Sequence, residues 1–306
     1  MTRTTSTRRA AFRSSPYFLL VLTTLMWAGN WVLGRAMRHE IPPVAMGFWR
    51  WALAAALLLP VTLPELWEKR AIVKRHLFVL ASLGALGACA FNTMCYIALQ
   101  YTAATNGVLF NSMIPALIIL LSWLVFRERL TGRQVAGVLL SFTGVAAILA
   151  RGDPAVLAGL RFNRGDLLLM AAMFLWALYT IVLRWRPPEL SASALLAAML
   201  LVSLPLLLPF YLWELDVRGG FAVTPRTVGT LLYYATLPSI IAYRLWNRGV
   251  AEVGANRAGL FVHLMPVWGA TLSWIFLGEG LYDYHFAGAA LIFGGIWLTT
   301  RVQRAS

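Results

Sequence analysis

Apolar residues run through this chain in long uninterrupted stretches, separated by short polar or proline-bearing breaks. A bilayer core of about 30 Å needs about 20 apolar residues in a helix. A window of that length finds ten candidate spans, at 17–35, 43–63, 77–99, 103–125, 134–150, 166–184, 191–213, 227–250, 256–277 and 284–300. The connections carry the breakers, such as Pro42-Pro43 after the first span, Arg151-Gly152-Asp153-Pro154 after the fifth and Pro187-Pro188 after the sixth. They leave no room for a soluble domain. No ten-residue alternation of apolar and polar positions occurs, which excludes an outer-membrane barrel. The pattern predicts an all-α integral membrane protein with ten transmembrane helices.

Composition agrees. Of 306 residues 60% are hydrophobic and 12% charged, against about 25% charged in ordinary soluble domains, and the mean hydropathy is +0.71. So few charges cannot cover a water-exposed surface. The chain carries 26 Lys and Arg against 12 Asp and Glu, a net charge of +14. These cations lie between apolar runs instead of clustering on one face of a soluble fold, so nucleic acid is not the expected partner. The lipid bilayer is, and the charge reads as orientation. With the N-terminus inside, the cytoplasmic segments collect Arg3, Arg8, Arg9, Arg13, Lys69, Arg70, Lys74, Arg75, Arg127, Arg129 and Arg133 among others. The outer segments hold fewer, which predicts a bacterial-type inner (plasma) membrane protein with both termini cytoplasmic. The first apolar stretch lacks a small-x-small cleavage site and reads as a retained helix, not a secretory signal. Cys89 and Cys95, six residues apart in one span, project to nearly opposite sides of a helix and form neither a disulfide nor a metal pair.

The second half of the chain repeats the first. Met113-Ile114-Pro115, Ser122-Trp123 and Glu128 match Leu264-Met265-Pro266, Ser273-Trp274 and Glu279 at an offset of 151. Gly137 and Gly144 fall on Gly288 and Gly295 at the same offset, Asn106 on Asn256 at 150, and Trp27-Ala28 on Trp176-Ala177 at 149. Five spans per half is an odd number, so the halves 1–151 and 152–306 enter the membrane with opposite orientation. Inverted repeats are a transporter architecture, with substrate bound between the halves and exposed to each side in turn.

The order of these residues resembles a known family. Met-Trp-Ala-Gly-Asn-Trp at 26–31, Arg50 early in the second span, and Pro115 followed by Ser122-Trp123 and Arg127-Glu128 are similar to the drug/metabolite transporter superfamily, and within it to ten-helix EamA-type exporters. The second copy, Met265-Pro266 through Leu277-Gly278-Glu279, is the more typical form. Within the family the chain is most similar to the aromatic amino acid exporters of the YddG type. The resemblance implies a transporter of small molecules with no cofactor.

Helical spacing selects the candidate substrate-binding residues. Trp27, Asn30, Trp31 and Gly34 form one stripe at i, i+3, i+4 and i+7, and an Asn facing lipid is costly. The repeat sets Trp176 and Tyr179 opposite that stripe. The third span offers Asn92 and Tyr96 at i, i+4, and its repeat counterpart, the eighth, offers Tyr243, Trp246 and Asn247. Asn106 and Asn111 in the fourth, with Asn256 and His263 in the ninth, add polar groups from the remaining symmetric pair. Aromatic walls with a few polar groups suit a ring-bearing metabolite. Interfacial anchoring by Trp and Tyr and interhelical hydrogen bonds by Asn are the structural alternatives. Arg50 and Arg244 lie within spans, where an arginine faces a cavity or a partner and could draw a carboxylate; snorkelling or pairing with helix-end carbonyls is the alternative. No span has an Asp or Glu near its centre, so the expected mechanism is facilitated export of amino acids, aromatic ones included, without proton coupling. An exporter of other metabolites or drugs, proton-coupled or not, is the alternative. A membrane enzyme is remote, because the four His are scattered and no HExxH, CxxC or GxSxG occurs. Small-residue faces at Gly137, Ser141 and Gly144, and at Ala290 and Gly294, predict close helix packing, as scaffold in a monomer or as a weak homo-oligomer contact.

Overall fold

The computed structural model describes residues 15–102, 104–153, 155–156, 163–277 and 280–300. Every predicted span falls on a helical segment. These are α1 (Pro16–Ala36), α2 (Pro43–Glu68), α3 (Leu77–Ala98), α4 (Ala104–Asn111 and Ile114–Phe126) and α5 (Gly132–Leu149). The second half gives α6 (Arg164–Val182), α7 (Ala192–Arg218), α8 (Pro225–Ala235, Thr236–Ile241 and Ala242–Val253), α9 (Ala255–Gly259, Leu260–Leu264 and Met265–Leu277) and α10 (Asp283–Thr300). Six stretches among the described residues are long and apolar enough to cross a membrane, those of α2, α3, α5, α7, the part of α4 over Leu109–Phe126, and α6 extended to Trp185. The apolar run is diluted in α1 by Thr23, Thr24, Trp27 and Asn30, and in α10 by Asp283, Tyr284 and His285. In α8 and α9 the backbone itself changes register.

Local chemistry explains the ends. Thr131 and Gln134 exchange side-chain and backbone bonds in a capping box at α5, as do Asn163 and Asp166 at α6, satisfying donors that the first turn cannot. Proline stands at the first turn of α1, α2 and α8, where its missing N–H costs nothing. Gly254 closes α8 at φ 84, a left-handed position that suits glycine.

The five repeat-equivalent helix pairs meet one another. In α5 and α10, Gly137 lies against Gly295 and Gly144 against Gly288. Gly144 is the counterpart of Gly295 and Gly137 that of Gly288, so the contact is reciprocal and the helices run antiparallel. A Cβ added at Gly144 would lie 2.5 Å from the Gly288 carbonyl oxygen, and one at Gly288 2.7 Å from that of Gly144. Reciprocal contact of this kind is the signature of a two-fold relation. The same relation appears in α4 and α9, where His263 Nε2 donates to the carbonyl of Ser112, 151 residues away (3.1 Å).

The α2–α7 pair is antiparallel too, with a glutamate at each end. Glu214 accepts from the backbone N–H of Val44 (3.2 Å) and Ala45 (2.7 Å) at the start of α2. Its counterpart 149 residues earlier, Glu65, accepts from the N–H (2.8 Å) and hydroxyl (2.6 Å) of Ser191, the N-cap of α7, and from Lys69. Each carboxylate therefore meets the positive end of the other helix. This explains why α7 runs to Arg218 instead of ending at 213: the N-terminus of α2 accommodates the carboxylate that would otherwise end an apolar helix. The two clamps differ in burial, since Glu214 is 2% exposed and the Glu65 side chain 25%.

Two outcomes follow for unfolding in mixed micelles. Valine at Gly144 or at Gly288 is expected to cost about 1–3 kcal/mol by overpacking, whereas Gly229→Ala, where an added Cβ meets nothing within 4 Å, gains up to about 1 kcal/mol of helix propensity. Glu214→Ala is expected to cost about 1–3 kcal/mol by stranding buried donors, and Glu65→Ala under about 1 kcal/mol because water replaces the lost acceptor. Equal losses at the two glutamates would contradict the burial difference as the cause.

Candidate functional site

Arg50 sits one turn and more into α2 and is 1% exposed. Its donors are met from three other helices. Nε donates to Ser239 Oγ, and Nη1 to Asn92 Oδ1 (2.8 Å), Tyr96 OH (2.8 Å) and more distantly Asn30 Oδ1 (3.4 Å). Nη2 donates to the carbonyl of Pro238 (3.1 Å). The guanidinium also lies 4.8 Å from the Trp51 ring centroid, within cation–π range. Each of these acceptors is neutral.

Two backbone irregularities make this arrangement possible. α3 passes through a π-helical turn at Gly84–Phe91 and α8 through another at Thr236–Ile241, at matching places in the repeat. Such turns replace i→i+4 bonding with i→i+5 and recur at functional sites. Gly87 and Pro238 are equivalent positions within them, and both carbonyls receive side chains. Gly87 accepts from Asn92 Nδ2 (2.8 Å) and Tyr243 OH (2.7 Å). Pro238 accepts from Trp27 Nε1 (3.0 Å) as well as from Arg50. Asn92 and Tyr243, themselves repeat equivalents, are joined directly at 2.8 Å. Asn92 thus uses its oxygen toward the cation and its amide hydrogens toward the carbonyl and the phenol, which fixes its orientation.

Aromatic rings close the other side. Trp27 and its equivalent Trp176 meet edge to face, 5.0 Å between centroids and 89° between planes, a favoured geometry. Trp246 lies 5.2 Å from Trp27, and Phe91 4.7 Å and Tyr243 5.4 Å from Trp176. Between the rings and Arg50 lies a cavity of about 30 Å³, room for about two waters.

The structure brings Trp27, Asn30, Trp31, Arg50, Asn92, Tyr96, Asn111, Trp176 and Tyr243 together on its wall. It places the other candidates elsewhere. Asn106 donates to Thr102 and Asp166 at the start of α6, Tyr179 to Asn247, and Trp246 stands behind the paired indoles. His263 is held between Ser141 Oγ (2.7 Å) and the Ser112 carbonyl, which ties α9 to α4 and α5. Arg244 is exposed on the outer side of α8. Phe91, Cys95, Leu99, Ile114, Val262 and Met265 complete the lining. Sequence patterning did not single them out, because an apolar residue lining a cavity and one packed in a core look alike. Ser239 escaped for a similar reason, although its neighbour Pro238 marks the break that presents it. Among the described residues no cluster of His, Cys, Asp and Glu could hold a metal ion.

Comparison with known proteins agrees with this architecture. A model of the EamA-like transporter family matches the chain twice, over residues 14–150 and 163–301. An uncharacterized transporter of Archaeoglobus fulgidus is 30% identical over 301 residues, 95% of this chain and 99% of that one. A Salmonella typhimurium protein named "Probable amino-acid metabolite efflux pump" is 27% identical over 94% of this chain and 97% of its own length. One solved crystal structure shares the fold with a TM-score of 0.71 at 20% identity, covering 94% of this chain and 96% of that one.

Proposed function

Because the chain belongs to the EamA-like transporter family, we propose that it exports small metabolites, amino acids with aromatic ones among them, across a bacterial inner membrane by alternating access. The observation that carries this reading is the cavity itself, an aromatic pair from the two halves facing one buried guanidinium. An interior cavity walled by both repeats is where rocking of one half against the other would open first to one side and then to the other. At about 30 Å³ it is contracted, and a ring-bearing substrate enters only as the halves part. In this reading residues 1–151 and 152–306 are the two moving units, and both termini lie in the cytoplasm.

Facilitated diffusion is the mechanism we favour. Among the described residues the cavity wall holds no Asp or Glu, and proton-driven carriers expose a membrane carboxylate. Two buried carboxylates, Glu214 in α7 and Asp166 at the start of α6, favour the proton-coupled alternative. Yet both oxygens of Glu214 are engaged by backbone N–H groups of α2, and those of Asp166 by Thr102, Asn106 and the N–H of Asn163.

Purified protein in liposomes tests both parts. Labelled phenylalanine is expected to equilibrate faster than in empty liposomes, with no accumulation when only a pH gradient is imposed. Trp27→Ala and Trp176→Ala are each expected to slow it about tenfold, the equivalent of about 1.4 kcal/mol. If neither aromatic nor aliphatic amino acids cross faster than in empty liposomes, the amino acid reading fails; accumulation driven by the pH gradient would establish proton coupling.

A further inference from the structure

We propose that the central cavity is a carboxylate site, in which Arg50 and the indole N–H of Trp176 hold the anion and no group binds the substrate's ammonium by charge. The proposal rests on the reading of this cavity as the transport site and narrows its substrates to organic carboxylates with an apolar or aromatic body.

A buried cation is costly unless an anion pairs with it. Yet every hydrogen-bond acceptor on Arg50 is neutral, and among the described residues the cavity wall holds one cation and no carboxylate. The salt bridges among the described residues all lie elsewhere, at Lys69–Glu65, Arg184–Glu128, Arg226–Glu40 and Arg248–Glu252. Nη2 carries two hydrogens and gives one to Pro238, leaving one without an acceptor among the described residues.

A second observation points to the same ligand. Trp176 lines the cavity, is 0% exposed, and its Nε1 has no hydrogen-bond partner. A buried donor left unpaired costs free energy and calls for an explanation. Its partner across the repeat, Trp27, has its own N–H satisfied by Pro238. Trp51 and Trp246 also keep buried indole N–H groups without a partner, but neither lines the cavity, whereas Trp176 does. About 30 Å³ is space for about two waters, which the two oxygens of a carboxylate would replace.

An ammonium group has no such reception. Among the described residues the wall offers an ammonium no carboxylate, only the neutral amide oxygens of Asn30, Asn92 and Asn111 and aromatic ring faces. The repulsion of Arg50 at short range opposes the cation–π attraction of those faces. The amino group of an amino acid is then tolerated instead of required, and an amine lacking the carboxylate is excluded.

The chemically matched set of phenylalanine, 3-phenylpropionate and phenethylamine separates these cases, with binding to the full-length protein in detergent read by calorimetry. Phenylalanine and 3-phenylpropionate are expected to bind in competition with each other, and phenethylamine at least tenfold more weakly. Trp176→Phe, which keeps a ring and removes the N–H, is expected to weaken both carboxylates about tenfold. Arg50→Lys, which keeps the charge and loses the planar fork, is expected to do at least as much. If phenethylamine binds as tightly as the acid, or Trp176→Phe weakens amine and acid alike, the carboxylate assignment is overturned and the export reading stands. If none of the three binds, the assignment falls together with the reading of this cavity as an amino acid site. The native chain with the three ligands is decisive even if a variant does not fold.

Discussion

A guanidinium 1% exposed between helices has no water to turn to, and the interior of this protein is arranged around that constraint. Arg50 finds its acceptors on α1, α3 and α8, so those helices are held against α2 by one side chain. A regular α-helix keeps its carbonyls for its own ladder. The π turn of α8 presents the Pro238 carbonyl to Arg50 and Trp27 instead. Breaks that would weaken a scaffold helix are here part of the cation's coordination.

Duplication explains why the needed groups are at hand. When two inverted copies pack about a two-fold axis, residues near that axis meet their own counterparts. Trp27 meets Trp176, Asn92 meets Tyr243 and Ser112 meets His263. The copies have since diverged in chemistry while keeping the contact. Met199, buried at 0%, occupies the α7 position equivalent to Arg50, so one half supplies the charge and the other an apolar face. Farther out, the symmetry is kept where it bears load, in the crossed glycines of α5 and α10 and the glutamates that cap α2 and α7.

Much of this was legible in the sequence. Hydrophobic run length located the ten helical segments α1–α10 but not the short basic helix at Arg70–Arg75, which has no apolar run to betray it. The motif repeat paired the residues that meet across the structure. The stripe of Trp27, Asn30 and Trp31 pointed inward because helical spacing and the cost of a lipid-facing amide agree. Other features left no trace that periodicity can read. The π turns of α3 and α8 alter backbone register without altering composition, so Gly87 and Pro238 show their role only when side chains are seen on their carbonyls. Glu214 lay just beyond the predicted end of its span, and the N-terminus that accepts it is 169 residues away in the chain. Asn106 and His263 illustrate the opposite limit: a polar residue within a span must be satisfied, but sequence does not say by what, and both are met by other helices.

The two halves are joined at the centre through repeat-equivalent residues gathered around Arg50. The direct test is a double-mutant cycle on Asn92→Ala and Tyr243→Phe in reversible mixed-micelle unfolding. Their bond at 2.8 Å and their shared acceptor at Gly87 predict a coupling of about 0.5–3 kcal/mol. Additive losses, with no coupling beyond experimental error, would contradict it.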